Sequence, residues 1–140
     1  MSYDKCQDVR SKILTEVRNE IQRLGVTPTL AIIKCNNDFA SKKYVENKIK
    51  TCNSVGIAVK VYDLKPEKTN IFDIQRVIIE CNHNCNATIL QLPLAERLEG
   101  FEEYLLSSVY PTHDIDGLTV KNKINLINNN YITKINDIIT

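Results

Sequence analysis

Between Asp4 and Leu24, the apolar residues Val9, Ile13, Val17, Ile21 and Leu24 recur every three or four positions among Arg, Glu and Lys. That period predicts one amphipathic helix, and Gly25 ends it. Thr29 to Cys35 (TLAIIKC) is a short apolar run just after a proline and reads as a buried strand. The polar Asn36–Asn37–Asp38 loop can cap a second helix, from about Ala40 to Val55, with Val45, Ile49 and Cys52 on its apolar side. Gly56 is its natural stop. Ala58 to Leu64 predicts a second strand, and Ile71 to Glu80 a third helix with Ile74, Val77 and Ile78 inward. Thr88 to Leu92 predicts a third strand ended by Pro93, and Phe101 to Val109 a fourth helix before the turn-rich YPTHDIDG.

Strands alternating with helices across short loops predict an α/β fold: a three-layer βαβ-type domain whose small, mainly parallel sheet is flanked by helices. Its crossovers are expected to be right-handed. Past Lys121 the composition shifts toward Asn, Ile and Lys, yet Ile124, Ile127, Tyr131, Ile135 and Ile138 keep helical spacing. The expected organisation is a catalytic domain over residues 1–122 and an amphipathic tail over 123–140 that packs back on the same domain.

Composition narrows the function. The 140 residues, 43% hydrophobic and 25% charged, suit one globular domain with a core of its own. A formal net charge of +1 argues against nucleic acid as the main partner, because such binders carry a basic excess to neutralise phosphates. No apolar run is long enough to span a bilayer, and MSYDKCQDVR has no signal-peptide core, so a soluble, cytoplasmic protein with no membrane partner is expected. Five cysteines, Cys6, Cys35, Cys52, Cys81 and Cys85, form no disulfide-like framework and suit reduced thiols.

Ligands of open parallel sheets bind in the crevice beyond the carboxyl ends of the strands. Three stretches are expected to meet there, carrying Tyr44 and Lys48, then Gln91, then Asp116. Tyr44 and Lys48 are four apart on one helix, so they share a face, with Ser41 a turn earlier. A lysine facing an apolar cleft loses hydration and can exchange protons near neutrality. With Lys34, Lys42, Lys43 and Lys50 nearby, a solvated face is the competing reading. Gln91 inside TILQLPL must find partners or cost about 1–3 kcal/mol, so it bonds a lysine amine, a ligand or the core backbone. Asp116–Gly117 is either a plain turn or a carboxylate for an N–H/NH₂ edge such as a pterin presents. Cys81-Asn-His83-Asn-Cys85 fits no zinc spacing and lacks a matching second half. The four scattered glycines form no phosphate-binding loop.

Taken together, three ordered motifs resemble the N-terminal catalytic domain of the bifunctional methylenetetrahydrofolate dehydrogenase/cyclohydrolase family. Ser41-Lys-Lys-Tyr44-Val45-Glu-Asn-Lys48-Ile-Lys50, continuing to Val55-Gly56-Ile57, is similar to its S-x-x-Y-V-x-x-K-x-K…G-I signature. Leu90-Gln91-Leu92-Pro93-Leu94 is similar to V-Q-L-P-L-P, with Ala95 for the last proline. Pro111-Thr-His-Asp114-Ile-Asp116-Gly117-Leu118 is similar to P-x-K-D-V-D-G-[FL], with His113 for the usual lysine, and Asn122 falls where the family places an asparagine. The resemblance implies a reduced folate as substrate and methenyl-tetrahydrofolate cyclohydrolase chemistry. It also implies roles: Lys48 in proton transfer, Gln91 tuning it, Tyr44 orienting the folate, and Asp116 with Gly117 at the pterin. The family's Rossmann domain, its P-C-T-P motif and its P-G-G-V-G-P segment have no counterpart here, and Ile124 stands for a usual glycine. The expectation is therefore no cofactor and no metal in this chain, with NAD(P) only where a separate dinucleotide domain supplies it. The protein partners left open are a homodimer and a dinucleotide-binding subunit.

Overall fold

A computed structural model describes residues 3–116; Gly117, Asn122 and the tail expected to pack as a helix lie outside the described residues. The helices are α1 (Tyr3–Leu24), α2 (Phe39–Val55), α3 (Ile71–Asn84) and α4 (Glu102–Leu106), and the strands are β1 (Thr29–Lys34), β2 (Ala58–Asp63) and β3 (Ala87–Gln91). A single 3₁₀ turn spans Glu96–Leu98. The three strands form one parallel sheet in the order β2-β1-β3.

That order follows from the connections. The chain steps from β1 to β2 on one side, then crosses back over β1 to β3 on the other. Crossovers of one hand that run in opposite directions place their helices on opposite faces. Leu30, Ile32 and Ile89 accordingly pack with Val45 of α2 on one face. Ala31, Ile33, Cys35 and Leu90 pack with Ile74, Ile78 and Leu105 on the other. Strand alternation does the sorting: every second residue of β1 joins the opposite core. The result is the expected α/β architecture with helices on both sides of a parallel sheet.

Three elements differ from expectation. The helix read as Ile71 to Glu80 continues to Asn84, because Cys81 turns into the core and Asn82 caps two backbone groups. Its amide donates to Ser108 O (2.7 Å) and accepts from Tyr110 N (3.1 Å). The helix read as Phe101 to Val109 is only Glu102–Leu106, although Leu105, Leu106 and Val109 are all buried. The apolar stripe of α1 is also not a core face: Val9 and Ile13 are about half exposed, at 48% and 52%. Among the described residues no helix is long and apolar enough to cross a membrane.

Candidate active site

α2 carries two of the expected site residues, and its start is tightly tied down. Asp38 caps it, accepting from Ser41 N and Ser41 Oγ, both at 3.0 Å. Asn36, buried at the exit of β1, donates to Ser41 Oγ (3.2 Å) and to Pro93 O (2.5 Å), and its Oδ1 accepts from Asp38 N (3.0 Å). One amide thus ties the ends of β1 and β3 to the first turn of α2. Gly56 closes the other end with φ 92°, a left-handed conformation that a residue with Cβ adopts only at a cost.

Three turns inside this fixed start, Lys48 reaches across to β3. Its Nζ donates to Gln91 Oε1 at 2.8 Å. Gln91 is the last residue of β3 and is buried, and its Nε2 makes a longer bond to Leu92 O (3.3 Å). Gln91 also lies in register with Lys34 of β1. Lys34 is buried, donates to Asn36 O (2.9 Å) and stands 3.6 Å from Asp63. A second amine therefore belongs to this corner, one that the sequence alone counts only among the lysines near a solvated face. The signal available was its place inside an otherwise apolar strand.

Beside the pair is a hollow of about 330 Å³, lined by Leu30, Asn47, Lys48, Thr51, Cys52, Ile89, Ile115 and Asp116. It is at the small end of small-molecule sites, which run from about 300 to 1,000 Å³. A narrower recess of about 180 Å³ adjoins it and shares Leu30, Cys52 and Ile115. Burial pushes the Cys52 thiol up, and the nearby Lys48 charge partly offsets this, so Cys52 is a neutral wall.

Lys48 bonds Gln91 and shares the lining of the hollow with Asp116, whereas Gln91 does not line it; Tyr44 stands apart, 57% exposed and also outside the lining. The Lys48–Gln91 bond is at the carboxyl end of β3, and the hollow reaches back from Lys48 toward Leu30 and Ile89. It lies along the α2 face of β1 and β3. The cause is the loop after α4, which returns beside β3 near that strand's start. Thr88 N donates to His113 O (2.9 Å), His113 Nε2 pairs with Cys85 O (2.9 Å), and Asp114 bridges Thr88. Tyr110 stacks edge-on against His113, with ring centroids 5.6 Å apart. His113, a departure from the usual lysine, thus anchors the loop that carries Asp116.

Cys81 and His83 do not converge. Cys81 is in the core with its thiol pushed up to about 11 by burial, whereas His83 packs edge-on against Tyr110. Among the described residues no cluster of three His, Cys, Asp or Glu side chains is arranged to hold a metal.

Residues 5–116 match the sequence profile described as the tetrahydrofolate dehydrogenase/cyclohydrolase catalytic domain. The chain belongs to this family. It is 32% identical over 118 residues to the bifunctional protein FolD of Chloroherpeton thalassium, and 36% identical over 118 residues to that of Desulfovibrio desulfuricans. Each alignment covers 83% of this chain but only 39% and 40% of those relatives, so the chain spans about two fifths of their length. The fold is shared with the FolD dehydrogenase/cyclohydrolase of Campylobacter jejuni, at TM-score 0.78 and 29% identity over 85% of this chain and 43% of that one. It is equally shared with the Trypanosoma brucei family member, solved with NADP and an inhibitor, at TM-score 0.78 and 26% identity over 85% of this chain and 41% of that one.

Proposed function

We propose that this chain binds a reduced folate in the hollow beside Lys48 and hydrolyses 5,10-methenyl-tetrahydrofolate to 10-formyl-tetrahydrofolate. The observation that supports this reading is the 2.8 Å Lys48–Gln91 hydrogen bond at the wall of a hollow that Asp116 also lines. Water oxygen bonds to the electrophilic methenyl carbon and passes a proton to the Lys48 amine. Collapse of the adduct forms the formyl C=O as its hydroxyl proton is released to solvent, and the bond from that carbon to N5 breaks as N5 takes the proton held by Lys48. The step needs a positioned acceptor and donor rather than a covalent nucleophile. Gln91 holds the amine in place, and Asp116, with Gly117 beside it, accepts hydrogen bonds from the pterin's N–H edge. Tyr44, exposed one turn before Lys48, closes over the folate once it is bound.

Hydride transfer needs a nicotinamide held against the folate carbon. The 39% span of the relatives supports a second reading, a truncated or partner-dependent catalytic domain to which a dinucleotide-binding part, from a longer chain or a separate subunit, supplies NAD(P). We place both readings in the cytoplasm, where reduced folate is the partner and a homodimer is compatible with either.

The test is the loss of methenyl-tetrahydrofolate absorbance with purified full chain. Turnover above buffer that disappears in Lys48→Met supports hydrolysis by this chain. Turnover at the buffer rate, or a Lys48→Met rate equal to the parent's, sinks it. Oxidation of methylene-tetrahydrofolate appearing only with an added dinucleotide-binding protein favours the second reading.

A further inference from the structure

At the amino ends of β1 and β3, Ala87 pairs in register with Leu30. Two residues on, on the same face of the sheet, Ile89 is packed into the core with Val45 of α2. At Ala87 a methyl takes the place of such a side chain, and a recess of about 180 Å³ is left, walled by Cys52 in the last turn of α2 and by Ile57 beyond it. That is below the range of about 300–1,000 Å³ in which whole ligands are held. It is close to the size of a cavity of roughly 150 Å³, lined by Leu, Ile and Phe, that stays dry and takes up benzene or xenon.

The backbone groups around this recess are already spent on one another. Thr29 N donates to Asn86 Oδ1 and Asn86 N to Thr29 O, both at 2.9 Å. Ala58 N donates to Pro28 O and Ile57 N to Cys52 O, again at 2.9 Å. The Cys52 thiol stays neutral, because burial pushes its titration up. A water needs about two to four polar partners to settle in a cavity, and these groups have none to spare. Leu30, Cys52 and Ile115 also line the larger hollow beside Lys48, so the recess adjoins a space already suited to a ligand. We propose that the recess is a separate subsite that binds a single uncharged aromatic ring, entering past Cys52 and Ile115. This inference does not depend on the folate chemistry.

The test titrates benzene into the isotope-labelled full chain and follows backbone amide shifts by NMR. Pyrimidine serves as a ring of the same size that carries hydrogen-bonding nitrogens. The expected result is saturable shifts at Ile57, Asn86 and Ala87, with benzene binding at about millimolar concentration. Pyrimidine should bind about tenfold more weakly, since its nitrogens lose their hydration without gaining donors. Ala87→Leu fills the recess and abolishes the shifts, and Ile57→Phe does the same from another wall should the first variant fail to fold. No saturable shift in the parent overturns the proposal, as does binding that a folded, filled variant retains. Equal affinity for pyrimidine overturns it too. So do shifts confined to Asn47 and Thr51, which would place the ring in the larger hollow.

Discussion

Lys48 and Gln91 stand 43 positions apart in sequence and are joined by a 2.8 Å hydrogen bond that spans α2 and the end of β3. The donor is an amine at the wall of the hollow and the acceptor is buried, so neither side chain is free to wander. The first prediction concerns this pair. Gln91→Glu puts a carboxylate where the amide oxygen lies, and an opposite charge within hydrogen-bond reach favours the protonated amine. The proposed cyclohydrolase activity should fall near neutrality, with its pH optimum moved to higher pH, while affinity for the proposed folate stays within a few-fold. A pH–rate profile of unchanged shape would mean that Gln91 does not act on Lys48.

Asn36 makes a separate prediction about stability. Its amide satisfies Ser41, Pro93 and Asp38 at once. Asn36→Ala takes one partner from the buried Ser41 hydroxyl and one each from the exposed Pro93 and Asp38 backbone groups, at about 1–3 kcal/mol. A urea melt should show the midpoint lowered with little change in slope. Because the same contacts seat the start of α2, kcat should drop more than KM rises.

Thr88 predicts the opposite sign. Its Oγ1 is buried beside the Asp114 bridge and has no hydrogen-bond partner among the described residues. Replacing an unsatisfied hydroxyl by a methyl of the same shape removes a desolvation cost of about 1–3 kcal/mol. Thr88→Val is therefore expected to leave the thermal midpoint unchanged or raise it. A clear drop would reveal a partner for that hydroxyl.

The buried thiols set an alkaline limit. Cys81 is held up to about 11, with desolvation as the main cause, and burial also raises Cys35. An unfolded thiol titrates near about 8.5. Between these values the unfolded chain releases the proton and the folded chain keeps it, so stability falls as pH rises. Unfolding midpoints measured from pH 8 to 11 should decline, and Cys81→Ala, though less stable overall from lost packing, should show a shallower decline.

How much of this was legible beforehand varies by element, and the reason is the range of the forces involved. Both crossover helices and all three strands were readable from period and punctuation, since local backbone preference and one-sided burial act over a few residues. Asp38 as a cap and Gly56 as a stop were readable for the same reason. The end of α3 was not, because Asn82 looks like a loop residue until Ser108 and Tyr110 arrive to satisfy it. α4 erred the other way: burial of Val109 kept the apolar spacing beyond the point where the helix stopped.

For the site, the order of residues along the chain by itself determined the chemical inventory: a tyrosine and a lysine one turn apart, a glutamine at a strand end, and an aspartate in a turn. Tertiary structure alone decided which of these meet. Spacing on α2 treats Tyr44 and Lys48 alike, yet only Lys48 finds a partner on β3, while Tyr44 stays outside the hollow. Likewise, the apolar strand around Lys34 hints at its burial but not at its partners, and nothing local marks α1's stripe as exposed. Both outcomes depend on which layer the parallel sheet presents to which helix, and that is settled by the β2-β1-β3 order, a contact pattern between residues far apart in the chain.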